Sequence, residues 1–557
     1  MGEGGGAVDA LGSHTPRLAG EGDSVDGHYR PDISTFGVDS LRIRVDREHV
    51  AYAGEPVRGR KRRDHGIDQR REAIMLALPM SPFLRYNPRL PRRALDPREI
   101  SVCTNAEVHD GSVIRTGGWS QLVDLSTPSK IRHLAEHITN DGTHYLCALS
   151  TNNFYVYDPI NLNWADLTRS VGDGGNYSGS DRWSSCSYGN LFVFVNGVDS
   201  MQKWDGNIAN KATPLSVTPL RPQLVITFGA HLVCAADAAD PDGNVGLKKI
   251  SWSAVGDPGD FTSPTSGSAY VYEGSGGIQS INILSRDTIA IYKSDSIHLL
   301  EYVAAPWYFA ARTATSGIGV YARNGVAQVG AEHIVLTNNG LRKFNGATLE
   351  PFGAEIEPLL SSYYPNDNAA FAQLVHDTYA NKLWVFLPSV GADWHFTTAL
   401  MYSLKDQSWS FQNGFDSYSI CLIRMGTPSD TFRLIFSDML SKLYKQDPAA
   451  TTRHGVAYTS TVETAMVCPG FLLFQLPTTN VELTQLDVGT DSGAPHVYVG
   501  VSDGGDHDVV WHGPYTPDAS GHVYTTVVGR WFTFRITDDV NFSVHTLTPW
   551  FVQRGVV

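Results

Sequence analysis

The sequence is poor in charged residues and has no long apolar run. Only 18% of its 557 residues are charged, which disfavours a chain of long, solvated helices. No apolar stretch reaches the roughly 18 residues that a membrane-spanning helix needs. The first thirty residues are Gly-rich and polar, without the charged start and apolar stretch of a signal peptide. We therefore expect neither a membrane span nor a signal peptide.

Cysteine is also scarce, and its spacing excludes two classes of small scaffold. The six cysteines are Cys103, Cys147, Cys186, Cys234, Cys421 and Cys468. None of them forms a C-x-x-C pair, so neither a zinc knuckle nor a compact disulfide framework is indicated. The pattern favours buried free thiols in a reducing cytoplasm.

Glycine, proline and aromatic residues are well represented. The chain has 53 Gly and 29 Pro, and 11% of its residues are aromatic, which predicts an all-β fold with many turns. A length of 557 residues exceeds the size at which one core usually keeps growing, so we expect two or more domains. The formal net charge of −14 argues against a protein whose whole surface coats nucleic acid.

Residues 1–85 have the composition of an extended basic arm or linker. Within them, Leu41–Val45 alternates like a lone strand, which would need a pairing partner. The basic cluster of the arm comprises Arg58, Arg60, Lys61, Arg62, Arg63, Arg70 and Arg71. This cluster is the candidate contact for nucleic acid or an acidic partner surface, and a solvated linker is an equal alternative.

Residues 86–449 repeat a short unit of strand, turn and strand. Tyr145–Leu149 and Phe154–Tyr157 make the clearest hairpin, and Leu191–Val195 starts another that turns at Asn196-Gly197. The unit recurs about every 40–50 residues, the period of a four-stranded propeller blade. We predict a β-propeller of about seven blades. A pair of β-sandwiches would also give short strands and frequent turns.

The last part of the chain, residues 450–557, has longer strands separated by turns that contain Pro and Gly. Val481–Val488, His496–Val501 and Trp531–Ile536 are examples. We predict a β-sandwich-like domain here, with a boundary near Asp447-Pro448.

No passage carries a complete catalytic, cofactor or metal pattern. On a helix, His133–His137 would bring two imidazoles together, but its glutamate is misplaced for a zinc protease, so a solvated or core-edge helical turn is favoured. Asp240–Asn244 and Asp503–Asp508 lack the bidentate glutamate of a calcium loop. Gly274–Gly277 lacks the Lys-Ser/Thr of a phosphate loop. We expect no catalytic residue, no cofactor and no metal.

Two groups of passages carry a family resemblance. The first comprises Asn87–Pro91, Leu95–Ser101, Cys103–Asn105 and Asp110–Trp119, and the second comprises Ile250–Phe261, Gly277–Ser280 and Thr288–Ile297. They resemble the propeller entry and the mid-propeller signature of the tail-hub proteins of short-tailed bacteriophages, also called packaged-DNA stabilisation or nozzle proteins. The resemblance covers about residues 87–450, and Val528–Ile536 is similar as well.

The resemblance implies a non-enzymatic structural protein of the virion tail, made in the host cytoplasm. Such proteins form a homo-oligomeric ring, most often of six copies, below the portal and head-to-tail adaptor and above tail fibres, a spike or a needle. The ring retains packaged double-stranded DNA and conducts it during ejection. Outside its arm this chain is acidic, and an acidic channel wall would let DNA slide by repelling it.

Two other functions remain open from the residues alone. A propeller glycan hydrolase needs two carboxylates from different blades, and the Ser-x-Asp-x-Gly-x-Thr-Trp box of sialidases does not recur here. A protein-binding scaffold would be like the WD-repeat proteins, yet Trp164–Asp166 and Trp204-Asp205 do not share one regular blade position.

Overall fold

The computed structural model describes ten segments of the chain. They are residues 75–124, 130–158, 163–179, 182–216, 220–305, 307–363, 367–391, 393–424, 432–504 and 508–553. Contacts divide the chain into Met1–Arg70 and Arg71–Val557, and every described residue belongs to the second unit. The predicted lone strand at Leu41–Val45 lies outside the described residues.

Five strands come first along the described part of the chain. They are β1 (Met75–Ala77), β2 (Ile100–Thr104), β3 (Ala106–His109), β4 (Ser112–Arg115) and β5 (Gly118–Asp124). A 3₁₀ turn at Arg92–Ala94 lies between β1 and β2.

Six antiparallel units of four consecutive strands follow in the described residues. Sheets 1 to 3 comprise β6 (Ile131–Ile138), β7 (His144–Ser150), β8 (Phe154–Asp158), β9 (Asn163–Asp166); β10 (Ser184–Tyr188), β11 (Leu191–Val195), β12 (Gln202–Trp204), β13 (Thr213–Pro214); and β14 (Pro222–Phe228), β15 (His231–Asp237), β16 (Lys249–Trp252), β17 (Gly267–Tyr270). Sheets 4 to 6 comprise β18 (Ile278–Ser285), β19 (Thr288–Lys293), β20 (Ser296–Ala304), β21 (Tyr308–Ser316); β22 (Val326–Val329), β23 (Glu332–Thr337), β24 (Gly340–Phe344), β25 (Leu349–Phe352); and β26 (Gln373–Asp377), β27 (Lys382–Pro388), β28 (Phe396–Ser403), β29 (Ser408–Ser417).

One turn type recurs between the first and second strands of these sheets. In sheets 2, 3 and 5 a two-residue turn begins with Gly189, Gly229 and Gly330, whose φ angles are 56°, 58° and 63°. Glycine takes this left-handed conformation without strain, and the turn suits the twist of a hairpin. The predicted hairpins at 145–157 and 191–204 are confirmed.

Sheet 7 joins two distant parts of the chain. Its strands β30 (Ile420–Arg424), β31 (Phe432–Ser437) and β32 (Lys442–Asp447) follow sheet 6, and β5 completes the sheet by pairing antiparallel with β32. The first strands of the sheets contact one another in order, from β6 through β10, β14, β18, β22 and β26 to β30. Strand β30 in turn contacts β6, so the contacts form a closed cycle.

Aromatic side chains pack sheet 7 against sheet 6. Trp119 of β5 is 3% exposed, and its ring centre lies 4.8 Å from that of Phe415 and 4.7 Å from that of Phe436. Trp384 and Phe386 of β27 belong to the same buried cluster. Such rings contribute both buried area and favourable ring geometry, so β5 is held by its side chains as well as by its backbone pairing.

The remaining strands lie near the C-terminus. They are β33 (Thr452–Arg453), β34 (Val456–Ala457), β35 (Ser460–Thr464), β36 (Val481–Ser492), β37 (His496–Ser502), β38 (Val510–Tyr515), β39 (His522–Gly529), β40 (Trp531–Asp538) and β41 (Ser543–Gln553). The described α-helices are α1 (Glu357–Tyr363) and α2 (Pro469–Phe474). Further 3₁₀ turns occur at Val171–Asp173, Gly243–Lys248, Ala354–Ile356 and Ala369–Phe371. The all-β fold class is therefore confirmed, and no helix in the described segments is long and apolar enough to cross a membrane.

Two sheets enclose the C-terminal core. One has the order β3-β4-β41-β36-β39, with β1 also pairing with β41. The other continues sheet 6 beyond β29 as β2-β35-β40-β37-β38. Side chains of both sheets share one buried cluster, in which the ring centres of Phe532 and Phe551 lie 5.0 Å apart. This is the arrangement of a β-sandwich, and it shares a sheet with the repeated part.

The N-terminal strands complete this sandwich, which corrects two predicted boundaries. Strand β1 pairs with β41, and Met80 and Phe83 lie buried in the sandwich core, so residues 75–85 are not part of the predicted arm. Strands β2 to β4 also lie in the sandwich sheets, so the repeated sheets begin at Gly118 and not at residue 86. Local sequence could not predict these boundaries, because they depend on pairing between strands far apart in the chain, and an exposed sheet edge is stabilised by whichever strand covers it.

Replacing Trp119 by alanine tests the closure of the cycle. We expect Trp119→Ala to lower the free energy of unfolding by about 3–5 kcal/mol, because it leaves a cavity between sheets 6 and 7. Denaturant unfolding measures this change. The control is Trp307→Ala, since Trp307 is 78% exposed and its loss should cost less than about 0.5 kcal/mol. Equal effects of the two substitutions would contradict a closing role for β5.

Candidate functional site

The contact residues predicted from the sequence cannot be placed on this fold. Arg58, Arg60, Lys61, Arg62, Arg63, Arg70 and Arg71 all lie outside the described residues. The candidate site within the described segments is a different set of basic residues, which sequence reasoning did not single out.

Three arginines line one small cavity where the first strands of several sheets begin. Arg132 lies in β6, Arg182 just precedes β10 and Arg323 just precedes β22. Their elements belong to sheets 1, 2 and 5, which the closed cycle of first strands brings together. The space has a volume of about 30 Å³, and we call it the arginine cavity.

Arg323 is the most deeply buried of the three. It is 9% exposed, and its Nη1 donates to the backbone carbonyl of Gln223 at 3.3 Å while its Nη2 donates to the side-chain oxygen of the same residue. Gln223 lies in β14 of sheet 3, so this link crosses from sheet 5 to a sheet that is not its neighbour. The Nε of Arg323 is buried without a hydrogen-bond partner among the described residues.

The electrostatic surroundings of Arg323 are unfavourable for a cation. Burial lowers the pKa of Arg323 to about 10, and the positive charge of Arg182 acts in the same direction. A guanidinium normally titrates well above this value, so burial disfavours its charged form here. Arg323 nevertheless remains protonated at neutral pH.

Aromatic rings hold the other two arginines. The guanidinium carbon of Arg132 lies 4.2 Å from the ring centre of Tyr418 and 5.4 Å from that of Trp394. That of Arg182 lies 4.5 Å from the ring centre of Phe371, which precedes sheet 6. Cation–π contacts of this kind orient a guanidinium without neutralising it. The residues that line the cavity in the described part of the chain include no Asp or Glu.

Asp393 does not line the arginine cavity, but it interacts with Tyr418 and Arg132, which do. It accepts hydrogen bonds from Lys130 at 2.5 Å and from the Tyr418 hydroxyl at 2.8 Å. These bonds hold the pKa of Asp393 below its usual value, with a smaller effect of the charge on Arg132. Asp393 therefore pairs with Lys130 and also interacts with the charge of Arg132.

The two histidines of His133–His137 lie in strand β6, so the predicted helical turn is wrong. Residues four apart on a strand point to the same face, and both rings reach sheet 2. His133 Nε2 lies 2.9 Å from Ser185 Oγ, and His137 Nδ1 lies 2.8 Å from Ser187 Oγ. Pairing of β6 with β7 overrides the helical interpretation of the local pattern. These histidines bridge two sheets.

Burial also sets the charge of the histidine in the arginine cavity. It lowers the pKa of His133 to about 4, so this ring is neutral at pH 7. An imidazolium next to three guanidinium groups would add to their repulsion.

The other polar motifs considered from the sequence have structural contacts. Asp240 accepts from Lys249 at 2.9 Å and from the Tyr270 hydroxyl at 3.0 Å, which ties its loop to sheet 3. Gly274 offers its carbonyl to Lys293 at 3.1 Å. Asp503–Asp508 includes residues 505–507, which are not described. Among the described residues, no group of three or more His, Cys, Asp or Glu could hold a metal ion.

One serine–histidine pair resembles part of a catalytic triad but is inaccessible. Ser296 Oγ lies 3.0 Å from His298 Nε2, and His298 Nδ1 lies 3.1 Å from Thr313 Oγ1. Ser296 and His298 are 1% and 2% exposed, so a substrate could not reach the hydroxyl. A nucleophile must approach its substrate to within a near-attack distance, and this pair is therefore structural.

A buried arginine network connects the repeated sheets to the sandwich. Arg453 is 3% exposed and donates to the side-chain oxygen of Asn105 at 2.6 Å and to that of Gln412 at 2.9 Å. Asn105 follows β2, whereas Gln412 lies in β29 of sheet 6. The Arg453 guanidinium also lies 4.0 Å from the ring centre of Tyr458. These contacts fix the junction between the two parts of the fold.

The six cysteines are all free, as predicted. Cys103, Cys147, Cys234 and Cys468 are buried, while Cys186 and Cys421 are half-buried. Burial raises the pKa of Cys186 and of Cys421 to about 12. Thiols in this state are poor nucleophiles.

Comparisons with known proteins assign no family. No family model matches the chain, and no curated protein matches it. Similar solved structures include the computationally designed Ika8 protein, at 9% identity and a TM-score of 0.35, covering 58% of this chain and 99% of that one. YCF48 bound to D1 peptide has 14% identity and a TM-score of 0.38 over 59% of this chain and 96% of that one. YCF48 from Cyanidioschyzon merolae has 11% identity and a TM-score of 0.39, and the match covers 59% of this chain and 99% of that one. Similarities this weak carry no conclusion about function.

Acidification tests the neutral state of His133. The unfolded chain binds a proton at this residue near pH 6.5, whereas the folded chain does so only near pH 4, so stability is lost as pH falls through this window. We expect His133→Asn to reduce the loss of unfolding free energy between pH 7 and pH 5 by about 2 kcal/mol. Urea unfolding at both pH values measures it. His496→Asn, at an exposed position, should leave the pH dependence unchanged.

Proposed function

We propose that this chain is a structural, non-enzymatic subunit of the tail of a short-tailed bacteriophage, of the tail-hub or nozzle type. Its seven sheets would be the seven blades of a β-propeller, closed by strand β5 from the N-terminal side. The closed cycle of contacts between first strands supports seven blades, because each sheet then buries both faces against its neighbours.

The observation that carries the proposal is where the passages that resemble tail-hub proteins lie in the fold. Asn105 takes part in the Arg453 junction, and Trp119 packs the closing strand against sheet 6. A Cβ atom on Gly118 would lie 2.1 Å from the carbonyl oxygen of Thr452, so β5 starts where only glycine fits. Trp252 of the second passage lies in the core of sheets 3 and 4. These residues build the scaffold, as expected for a structural protein.

In this role the subunit would form a homo-oligomeric ring, with six copies as the expected number. The ring would lie below the portal and adaptor and above fibres, a spike or a needle, and packaged DNA would pass through the lumen between subunits. The centre of one propeller would not be that lumen, because side chains cross it. Arg323 links sheet 5 to sheet 3 across this centre. Arg182, which just precedes sheet 2, stacks on Phe371, which just precedes sheet 6.

Electron microscopy of purified full-length protein, and of particles that contain it, tests the proposal. We expect a closed ring of about six copies on the axis of a short tail. A monomer at all concentrations that is absent from particles would overturn the assignment. Cleavage of surface glycans by such a monomer would favour the hydrolase, and stable capture of one cellular protein would favour the scaffold.

Deleting residues 1–70 tests the predicted role of the basic arm in assembly. The deletion leaves every described strand intact, since β1 begins at Met75. We expect normal thermal unfolding of the isolated protein but no incorporation into particles, because a basic segment that docks on a neighbour folds only on assembly. Changing the seven basic residues of the arm to glutamine in the full chain separates charge from length. Normal assembly of the deleted chain would contradict the role.

A further inference from the structure

The hairpin formed by β20 and β21 exposes a group of apolar side chains at its end. Residues 302–311 contain no charged residue. Trp307 is 78% exposed, Val303 47% and Tyr302 45%, and Ala305 is exposed as well. Single apolar residues on a surface are ordinary, whereas an exposed apolar patch of several neighbours marks an interaction site. We call Tyr302, Val303, Ala305 and Trp307 the hairpin tip.

The hairpin tip projects beyond the end of its sheet. The last pair between β19 and β20 joins Thr288 and Glu301, whereas the pairing of β20 with β21 continues to Ala304 and Tyr308. At about 3.3 Å per residue, the further residues of β20 extend the hairpin by about 10 Å. The tip therefore extends past β19 on two strands alone.

Aromatic packing fixes the base of this hairpin. Phe309 is 5% exposed, and its ring centre lies 5.1 Å from that of Trp252 in sheet 3 and 5.6 Å from that of Tyr302. Tyr308, between Trp307 and Phe309, has a φ of 57°, a left-handed conformation that is rare for a bulky residue. The backbone thus places Phe309 in the core and leaves Trp307 outside. Because the base is held in this way, contact through the tip requires little further ordering.

An ion pair lies where the uncharged segment begins. Arg312 Nε in β21 donates to Glu301 Oε1 in β20 at 2.8 Å, and both side chains are exposed to solvent. The two charges are opposite and the segment between them has none, so this hairpin offers no basic patch to anionic headgroups. The pair is suited to remain in water when the tip is buried.

The size and chemistry of the tip favour a lipid bilayer over a protein partner. A standard protein interface uses about 20–30 residues and about 800 Å² on each side, far more than this tip presents. A lipid surface has no such minimum. Trp and Tyr are enriched at its boundary, because the ring lies among apolar groups while the N–H or hydroxyl stays hydrated.

We propose that the hairpin tip inserts into the interface of a lipid bilayer, with Trp307 as its main anchor. The length of the projecting segment matches the depth of about 5–10 Å that interfacial segments reach. The Glu301–Arg312 pair stays among the hydrated headgroups and limits the depth. This property goes beyond the tail-protein assignment and does not rest on it.

Flotation of the full-length protein with phosphatidylcholine vesicles tests the proposal. We expect the wild type to float with the vesicles at low and at high salt, because the tip carries no charge. Trp307→Ala should weaken vesicle binding at least tenfold, since it removes the largest apolar group of the tip. Tyr379→Ala is the matched control, because it removes another exposed ring, 59% exposed, from the turn between β26 and β27.

A charged substitution gives a second measurement. Val303→Asp should abolish flotation, because a carboxylate resists transfer out of water. Val390→Asp is its control, since Val390 is 83% exposed and follows β27, and it should float like the wild type. Thermal unfolding of each variant, expected to match the wild type, shows that the fold is intact.

Three results would overturn the proposal. They are no flotation of the wild type, equal flotation of Trp307→Ala, and binding that requires vesicles with phosphatidylglycerol and is lost at high salt. A smaller mass of Trp307→Ala than of the wild type in light scattering would identify the tip as a contact between copies, which also overturns membrane insertion. Ring formation and vesicle binding are measured separately, so the failure of one leaves the other standing.

Discussion

The pairing of β5 with β32 is the contact on which the rest of the fold depends. A four-stranded sheet buries its faces only against neighbouring sheets, so a cycle with an open seam would expose two apolar faces. The chain closes the seam with a strand from the N-terminal side, and Trp119 fills the space behind it. Because β5 follows directly after β4 of the sandwich, closing the cycle also positions the second part of the fold.

The sandwich and the repeated sheets are joined by more than a linker. Sheet 6 continues into the sandwich through the parallel contact of β29 with β2, and the Arg453 network lies at the same place. Neutral oxygens accept hydrogen bonds from both Nη groups of Arg453, which offsets part of the cost of burying this cation. This junction therefore ties the two parts of the fold together through both backbone pairing and side-chain hydrogen bonds.

Buried positive charge is the recurring electrostatic feature of a chain that is acidic overall. At Arg453 the surrounding oxygens compensate it, and burial lowers the pKa of this residue to about 10 as it does that of Arg323. At the arginine cavity the backbone carbonyl and the side-chain oxygen of Gln223 accept hydrogen bonds from Arg323, and aromatic rings stack on Arg132 and Arg182.

Local pattern by itself determined the all-β class, the hairpins and the four-stranded repeat, because strand alternation and glycine turns act within a few residues. It also indicated free, buried cysteines. Tertiary structure decided what local pattern does not encode: that β1 to β4 belong to the sandwich, that β5 closes the cycle, and that His133–His137 is a strand. The same holds for the arginine cavity, whose residues are distant in sequence and meet only when the first strands come together. Pairing across hundreds of residues depends on which edges and faces are left uncovered, a property of the assembled fold and not of any segment.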